Sequence, residues 1–291
     1  MEERKISVIL VNYNALEMTI ECINSIKKSD CKPEIIVIDN GSQRNESIEL
    51  QNKYPDIICK RSETNLGFAG GNNIGIELAI EHGATHIALL NNDTIIDSHM
   101  LSCLANNCKI NSISVPVIYY YKKPKMVWYA GGEINKRTGA VIHYLENSEP
   151  NTIHPIQCNF ATGCCFMAQT LIWKQIGLLD ESYFMYCEDV EYCLRLKKNN
   201  IYVQLVPEAK MWHKVGFSSG GEYSPIAIYY ATRNRFRNIK RYSWYFSKSA
   251  YWYTLFTRII YSFILRARGN KDGRLYLKAY KDYKRENRNR N

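Results

Sequence analysis

The chain has 291 residues, 46% of them hydrophobic and 12% aromatic, and a formal net charge of +10. A chain of this length and composition can bury a substantial core, which disfavours a disordered protein. The charge is unevenly distributed, because residues 233–291 hold 17 basic and 3 acidic residues whereas residues 1–232 carry a net charge of −4. We therefore expect a mildly acidic body followed by a basic tail.

The N-terminal segment and the cysteines indicate the cellular compartment. Residues 1–5 are short and partly acidic and lead directly into a strand-like segment, which is not the pattern of a signal peptide. The ten cysteines are scattered and form no CxxC pair, so we expect reduced thiols. Adjacent Cys164 and Cys165 do not suit one tetrahedral zinc ion. The sequence therefore predicts a cytoplasmic protein.

The first hundred residues alternate between strand-like apolar runs and amphipathic helical segments. This alternation is typical of βαβ units, in which buried parallel strands are covered by helices and ligands bind beyond the carboxyl ends of the strands. We predict strands at Ile6–Val11, Glu34–Ile38, Ile57–Lys60 and His86–Leu90, and helices at Leu16–Lys28, Ser47–Lys53 and Gly71–His82.

The second half of the body has weaker periodicity. Residues 115–155 are rich in Tyr, Gly and β-forming residues, and we expect irregular strands and loops there. After them we predict a strand at Cys165–Gln169, a helix at Leu171–Gln175, a loop at Gly177–Met185, a helix at Val190–Lys198 and a strand at Tyr202–Val206 that ends at Pro207.

Two polar segments follow early strands and are candidates for nucleotide binding. Asp39 begins Asp-Asn-Gly-Ser after the second strand, and Asn65–Gly75 forms a glycine-rich loop after the third. Glycines let the backbone present N–H groups to phosphate, while amide side chains can bond a base or ribose. The segment matches neither GxGxxG nor a P-loop, which disfavours a dinucleotide or ATP site.

The fourth strand delivers Asn91-Asn92-Asp93 to the same edge of the sheet. There a carboxylate can hold a hard divalent cation together with water and substrate phosphate. A turn or a helix N-cap would also explain this tripeptide.

Acidic residues and one histidine lie further along the chain. Glu188 and Asp189 start a predicted helix, and because successive helical side chains diverge by about 100°, only one can face a given substrate atom. Helix-dipole complementation is the alternative role. Glu191 and Arg195, four residues apart, are interpreted as a surface ion pair. His213 follows the last predicted strand and could complete a site begun by Asp93, or be structural.

The basic tail contains one apolar helical stripe, formed by Trp252, Leu255, Phe256, Ile259, Ile260, Phe263 and Ile264. Arg258 interrupts it, so a bilayer-spanning helix is disfavoured. The stripe could insert shallowly into an anionic membrane surface, pack on the body, or bind a second subunit.

Several motifs, taken in order, resemble those of family 2 inverting glycosyltransferases over residues 5–240. They are Val11-Asn12-Tyr13-Asn14, Asp39-Asn40-Gly41-Ser42, Asn65–Asn73 and Leu90-Asn91-Asn92-Asp93. Later segments resemble the rhamnosyltransferase-like branch, namely Ala161-Thr162-Gly163, Gly177–Glu181, Glu188-Asp189 with Arg195, and His213 followed by Gly216 and Ser218.

The resemblance implies an α/β fold of the Rossmann-like GT-A type, with a mostly parallel sheet flanked by helices and a helical C-terminal tail. It implies a catalytic domain at residues 1–232, with a nucleotide-sugar half to about residue 110 and an acceptor half after it. The residues that it places at the nucleotide sugar are Val11, Asn12, Tyr13, Asp39, Asn65, Gly67, Gly71, Asn72, Asn91 and Asn92.

By the same resemblance, Asp93 and His213 would bind Mg²⁺ or Mn²⁺, and Gly163 and Cys164 would line the loop between donor and acceptor. Asp189 would be the catalytic base, with Glu188 beside it. Asn91 stands where a full Asp-x-Asp motif has an acid, so more of the metal binding falls on Asp93.

We thus predict an inverting, metal-dependent transferase that moves a sugar, with rhamnose favoured, from a dTDP- or UDP-linked donor. The expected acceptor is a glycan or a polyprenyl-diphosphate-linked glycan of cell-surface polysaccharide synthesis. We expect peripheral contact with the cytoplasmic membrane, a possible homodimer and no nucleic-acid partner. A sugar nucleotidyltransferase and a non-catalytic sugar-nucleotide-binding subunit are the alternatives.

Overall fold

The computed structural model describes residues 4–215 and 224–288. Its strands are β1 (Ile6–Asn12), β2 (Glu34–Asn40), β3 (Ile58–Ser62), β4 (His86–Leu90), β5 (Thr94–Ile96), β6 (Ser112–Tyr120), β7 (Lys123–Tyr129), β8 (Gly132–Ile134), β9 (Val141–His143), β10 (Gln157–Cys158), β11 (Cys165–Gln169) and β12 (Tyr202–His213). Its helices are α1 (Leu16–Ile26), α2 (Glu46–Lys53), α3 (Gly67–Glu81), α4 (Met100–Asn107), α5 (Thr170–Ile176), α6 (Glu188–Lys198), α7 (Pro225–Arg241), α8 (Lys248–Ala267) and α9 (Gly273–Arg288).

Most strands join one mixed sheet in the order β10-β12-β6-β11-β4-β1-β2-β3. The four predicted N-terminal strands are parallel, as expected, since β1 pairs in parallel with both β2 and β4, and β2 with β3. Strand β11 is antiparallel to β4 and to β6. This reversal brings the residues just before β11 beside the carboxyl end of β4.

The central strands are buried on both faces. Val8, Leu10, Ile36 and Ile38 have no exposed surface, and neither does Leu89. This burial explains why these strands appear in the sequence as continuous apolar runs rather than as alternating ones. The rigid sheet fixes where the polar residues after each strand end lie.

The last strand of the body is longer than predicted. We expected it to end at Pro207, but β12 continues to His213. Its pairing with β6 shifts register between Val206 and Lys210. The proline lies in this irregularity, where the missing N–H breaks no regular ladder bond. As a result His213 belongs to the sheet, where it pairs with Thr94 of β5.

Three helices, α7 to α9, form the C-terminal region. The predicted boundary between residues 232 and 233 falls inside α7, and buried Asn234 and Asn238 of this helix bond to the loop before α6. The predicted apolar stripe is helical and lies within α8. Within residues 4–215 and 224–288, no helix is both long and apolar enough to cross a membrane.

Candidate functional site

Asn12 and Asp39, at the ends of adjacent strands β1 and β2, are fully buried. The amide of Asn12 donates to Glu46 Oε2 at 2.7 Å and accepts a hydrogen bond from Thr19 Oγ1 at 2.7 Å. Tyr13 is 47% exposed. Of these three residues, only Tyr13 has a side chain that a ligand could reach from solvent, whereas Asn12 stabilises the edge from within.

Asp39 is held by an arginine that sequence reasoning missed. Arg61 Nη1 donates to Asp39 Oδ2 at 2.6 Å, and Arg61 Nη2 donates to the carbonyl of Ser42 at 2.7 Å. Asp39 Oδ1 accepts from the Ser42 N–H at 3.1 Å. The predicted contact of Asp39 with a base therefore competes with Arg61. The register of β2 and β3, which places Arg61 beside Asp39, was the signal that could have identified it.

The glycine-rich segment is a helix rather than the predicted loop, because α3 starts at Gly67. A Cβ at Gly71 would lie 2.9 Å from Val11 Cγ1, and one at Gly75 would lie 2.4 Å from Ile9 Cγ2. The glycines thus allow α3 to pack closely on β1. Asn65 Oδ1 accepts from the N–H of Gly67 at 2.9 Å at the start of the helix.

Asn72 and Asn73 of α3 both have structural partners. The Asn72 amide donates to the carbonyl of Phe68 within the helix, and the side chain is buried. Asn73 donates to the Leu179 carbonyl and accepts from its N–H, which joins α3 to the segment before α6. The amide nitrogen of Asn72 thus has a partner inside the helix, and the nucleotide contact of Asn72 stays a prediction.

Gly67 is the point of contact between the start of α3 and the loop before α6. Its φ is +74°, and a Cβ there would meet the carbonyl oxygen of Phe184 at 2.1 Å. The N–H of Phe68 donates to the same carbonyl at 2.6 Å. The start of α3 is therefore fixed to the loop that leads into α6.

We expect Gly67→Ala to lower the melting temperature by more than the strain of a left-handed backbone alone would. The strain of a non-glycine residue at positive φ costs about 1–2 kcal/mol, and the clash with Phe184 adds to it. Gly83→Ala is the matched control, since Gly83 has φ +78° but nothing within 4 Å of the added Cβ. Equal melting temperatures for the two variants would contradict a tight contact at Gly67.

The tripeptide after β4 has three different environments. The Asn91 N–H donates to the Cys164 carbonyl at 2.8 Å, and the side chain of Asn91 is half-buried. Asn92 is buried and donates to Thr19 Oγ1 at 2.8 Å, so it braces the edge. Asp93 is 1% exposed.

Asp93 and His213 are brought together by the sheet. Asp93 Oδ1 lies 3.1 Å from His213 Nε2, and the Lys214 N–H donates to the Asp93 carbonyl at 2.9 Å. The ring of Trp128 packs against His213 at a centroid distance of 4.7 Å. The predicted pairing of these two residues is therefore a feature of the structure, and the continuation of β12 past Pro207 is its cause.

This pair fits a divalent cation. Two ligands on adjacent corners of an octahedron, each about 2.1 Å from the ion, lie about 3 Å apart. No cluster of three or more His, Cys, Asp or Glu side chains suited to a metal occurs in the described part of the chain. Further ligands would have to come from substrate phosphate and water. An imidazole nitrogen beside one carboxylate suits Mn²⁺ better than Mg²⁺, which prefers oxygen ligands.

The loop before β11 lies between Asp93 and the start of α6. Cys164 is buried, and burial raises the pKa of its thiol well above the ordinary value, with Asp93 acting in the same direction. Gly163 donates its N–H to Asp189 Oδ2 at 3.1 Å, and a Cβ on it would meet the ring of Phe68 at 3.2 Å. Gly163 therefore lies between the start of α3 and the carboxylate of Asp189.

The two acidic residues at the start of α6 differ in exposure. Glu188 is 5% exposed, and its Oε2 has no hydrogen-bond partner among the described residues. Asp189 is half-buried. Burial raises the pKa of Glu188 well above its ordinary value, and the charge of Asp189 adds to the shift. Burial also raises the pKa of Asp189, against the opposing effect of the Gly163 N–H. Glu188 thus holds a proton more strongly than an ordinary glutamate, while Asp189 is the carboxylate that solvent can reach.

Glu191 and Arg195 do not form the surface ion pair that we predicted. Glu191 has no exposed surface, and Arg195 donates to it through Nε at 2.9 Å and Nη2 at 2.8 Å. Arg195 also donates to the carbonyls of Ile176 and Leu178. The prediction was wrong because the spacing indicates a pair but not which helix face is covered. The buried pair fixes the loop after α5 to α6.

The loop before α6 is strained and held from α7. Phe184, Tyr186 and Cys187 all have positive φ, at 60°, 64° and 67°. The amide of Asn234 donates to the carbonyls of Tyr183, Met185 and Tyr186. Sequence reasoning missed this clamp. Gly216 and Ser218, which the sequence comparison had paired with His213, lie outside the described residues.

Comparison with known proteins supports one family. The model described as "Glycosyl transferase family 2" matches residues 7–175. The low-salt glycan biosynthesis hexosyltransferase Agl10 of Haloferax volcanii is 27% identical over 243 residues, covering 79% of this chain and 74% of the relative. The dTDP-rhamnosyl transferase RfbF of Shigella flexneri is 28% identical over 257 residues, covering 81% and 80%.

Solved structures share the fold. A crystal structure of GalNAc-T7 with UDP, GalNAc and Mn²⁺ aligns with a TM-score of 0.63 at 17% identity, covering 82% of this chain and 48% of that one. Residues 1–349 of S. aureus TarS in complex with UDP align with a TM-score of 0.52 at 19% identity, covering 81% and 65%. This chain therefore spans about half to two thirds of those chains, and the likeness concerns the fold alone.

Proposed function

The chain belongs to glycosyl transferase family 2 and has the predicted GT-A fold, and we propose that it transfers a sugar from a dTDP- or UDP-linked donor with inversion. The observation that carries this proposal is the convergence of Asp93 and His213 with Asp189 across the Gly163–Cys164 loop. Rhamnose is the favoured sugar because a relative at 28% identity is named a dTDP-rhamnosyl transferase. The proposed acceptor is a glycan, free or lipid-linked, of cell-surface polysaccharide synthesis.

In the proposed reaction Asp189 accepts the proton of an acceptor hydroxyl as its oxygen attacks the anomeric carbon. The new C–O bond forms on the face of the anomeric carbon opposite the diphosphate. The bond between the anomeric carbon and the diphosphate oxygen breaks, and the nucleoside diphosphate leaves. A single displacement inverts the anomeric centre, and no covalent enzyme nucleophile is needed. The Gly163 N–H orients the carboxylate of Asp189 through a 3.1 Å hydrogen bond.

Asp93 and His213 would hold Mn²⁺ or Mg²⁺ in this site. The ion, when bound, neutralises charge on the departing diphosphate. Positioning of the donor falls to the chain itself at the start of α3, which the bonds from the Gly67 N–H to Asn65 Oδ1 and from the Phe68 N–H to the Phe184 carbonyl hold in place. Gly67 and Gly163 leave room for the close approach of that helix to the Asp189 loop.

A donor panel tests the function. We expect binding and slow hydrolysis of a dTDP- or UDP-sugar with Mn²⁺, with release of nucleoside diphosphate, and neither with GDP-sugars. Release of pyrophosphate from a nucleoside triphosphate and a sugar phosphate would instead identify a nucleotidyltransferase. Tight donor binding without hydrolysis or transfer to any acceptor would identify a non-catalytic subunit.

We further propose that α8 docks the protein on the anionic cytoplasmic face of a membrane. The helix turns its apolar side outward, with Trp252, Phe256, Ile260 and Phe263 each between 54% and 63% exposed. Its inward side carries buried Ala250, Thr254 and Ser262. The stripe thus does not pack on the body.

The charge of this surface favours lipid over a second copy of the chain. Residues 224–271 contain no acidic residue, and Lys248, Arg266 and Arg268 flank the apolar side as exposed cations. A self-complementary dimer through this face would bring like charges together, whereas anionic lipid headgroups would attract them. The aromatic residues also suit the boundary between headgroups and acyl chains.

We expect the double variant Phe256→Glu, Ile260→Glu to lower binding to phosphatidylglycerol-containing vesicles at least tenfold, because it places charge where apolar side chains would insert. Leu171→Glu is the control, since Leu171 of α5 is 57% exposed outside the tail. Co-sedimentation at several salt concentrations gives the measurement. Unchanged sedimentation of the double variant, or dimerisation of the wild type that this variant abolishes, would contradict the membrane proposal.

A further inference from the structure

Two arginines of the C-terminal helices, Arg235 and Arg258, lack among the described residues the carboxylate partner that neighbouring arginines have. Arg233 and Arg237 of α7 pair with Glu286 at 3.6 and 2.7 Å. Arg235, on the same helix, and Arg258, in the middle of α8, are both half-buried. Among residues 4–215 and 224–288, neither has a carboxylate partner or a hydrogen bond, and Arg258 Nε is buried without one. Burying a guanidinium in this way costs free energy unless something compensates.

Arg235 and Arg258 lie on helices that contact the same turn. The turn at Thr138 and Gly139 contacts both helices, since Thr254 Oγ1 donates to the Thr138 carbonyl at 3.3 Å, one helical turn before Arg258. A Cβ on Gly139 would lie 3.8 Å from Arg235 Cγ. Burial, and then the positive charge of Arg258, lower the pKa of Arg235 to about 10. Arg235 therefore keeps its positive charge at neutral pH, and the charge of Arg258 opposes it.

Arg258 has partial compensation from aromatic rings. Its guanidinium lies over Tyr261 at 5.9 Å and over Tyr276 at 5.6 Å. Such contacts orient a cation but do not neutralise it. The orientation of α8 makes the arrangement unusual, because apolar side chains point to solvent while Arg258 points inward.

The cationic pair lies beside the catalytic segment. Cys187, which directly precedes Glu188, donates its thiol to the carbonyl of Ala231 at 3.8 Å, one turn before Arg235 on α7. Burial and then Asp189 raise the pKa of Cys187 to about 12. Arg235 and Arg258 both act on this thiol in the opposite direction. Both positive charges are thus within electrostatic reach of the residue adjoining the proposed base.

We infer that Arg235 and Arg258 bind a phosphate or diphosphate group of the sugar acceptor. Two planar guanidinium groups without a carboxylate match a polyanion that offers several oxygens, to which each arginine can donate two hydrogen bonds. The inference rests on the proposed function, and it deepens that function by specifying an acceptor with a diphosphate linkage. The position on α7 and α8, beside the proposed membrane-facing helix, suits a diphosphate that a lipid carries.

The test is binding of farnesyl diphosphate to the full chain, measured in EDTA. Under these conditions neither a metal ion nor the donor contributes to the affinity. We expect Arg235→Gln and Arg258→Gln each to weaken the Kd about tenfold, as loss of a charge-assisted hydrogen bond does. Arg274→Gln, which removes an exposed cation of α9, is the control and should leave the Kd unchanged. An unchanged Kd in the Arg235→Gln, Arg258→Gln double variant would overturn the assignment.

Two further readouts separate this site from other roles. Each single variant should melt no lower than the wild type, because it removes one of two repelling charges, whereas Arg237→Gln, which breaks a pair with Glu286, should melt lower. A lower melting temperature with unchanged Kd would show a structural role and overturn the proposal. The proposal would also be overturned if the double variant no longer bound phosphatidylglycerol vesicles but still bound farnesyl diphosphate. Binding of farnesyl diphosphate needs no donor sugar. The binding result therefore still tests the arginine site if the wild type does not transfer sugar.

Discussion

Asp189→Asn is expected to lower kcat for sugar transfer by about 10³-fold while the Kd for the donor nucleotide stays within about twofold, since a general base contributes on the order of 10²–10⁴-fold. The replacement has the same shape, and its single amide oxygen can still accept from the Gly163 N–H, while the bond from the Val190 N–H to the other oxygen is lost. What is lost is a group that can accept the acceptor proton. The measurement is a steady-state transfer assay with parallel calorimetric titration of the nucleotide.

Glu188→Gln is the matched control for that variant. Because burial and the charge of Asp189 raise the pKa of Glu188 well above its ordinary value, the uncharged form is favoured, and Gln reproduces that form. We expect a loss of less than about tenfold, far smaller than that of Asp189→Asn. If Glu188→Gln abolished transfer and Asp189→Asn did not, the base would be Glu188.

The pH dependence follows from the same environment. Burial raises the pKa of Asp189 above its ordinary 3.8. A base acts only in its deprotonated form, so transfer should be fully active above this raised pKa and be lost as the pH falls through it. The acid limb of kcat/KM, measured in Glu188→Gln to remove the second titrating group, should therefore lie at a higher pH than that of an exposed aspartate.

Asp93→Ala is expected to weaken donor binding in Mn²⁺ about 100-fold, a loss of about 2.7 kcal/mol. Asp93 supplies the one carboxylate of the pair with His213, at 3.1 Å, and Asn91 is neutral. Without Asp93 the ion would have only an imidazole from the chain. The measurement is a titration of the donor nucleotide with and without Mn²⁺.

The sharpest control for Asp93→Ala is the same titration in EDTA. There the variant and the wild type should bind equally, because no metal contributes to either. His213→Ala, which keeps the carboxylate, should lie between wild type and Asp93→Ala in Mn²⁺. Unchanged affinity of Asp93→Ala in Mn²⁺ would remove Asp93 as a metal ligand.

The elements that sequence predicted well are those with strong periodicity. Strands β1, β2 and β4 have continuous apolar runs that only a sheet covered on both faces would bury, and the parallel direction predicted for β1 to β4 was confirmed. The polar residues after these strands could therefore be placed at one edge. The pairing of Asp93 with His213 followed from the same edge, although β12 was predicted too short.

The wrong prediction concerns which face of a helix is covered by the rest of the protein. The periodicity of the sequence does not encode this. Glu191 and Arg195 have the spacing of a surface pair but lie against the body. The sequence left open what covers the stripe of α8, and the structure exposes its side chains Trp252, Phe256, Ile260 and Phe263. Phe184, Tyr186 and Cys187 before α6 have positive φ, but none of them is a glycine. The sequence therefore contains no sign of the strained loop that Asn234 holds in place.

The most direct test of the central claim is the titration of the wild-type chain with dTDP-rhamnose and a UDP-sugar, each in Mn²⁺ and in EDTA, followed by assay of the bound complex for nucleoside diphosphate release. The account predicts that one donor binds at least tenfold more tightly with Mn²⁺ and is slowly hydrolysed. Affinity that Mn²⁺ does not change, with no nucleoside diphosphate released from either donor, would contradict it.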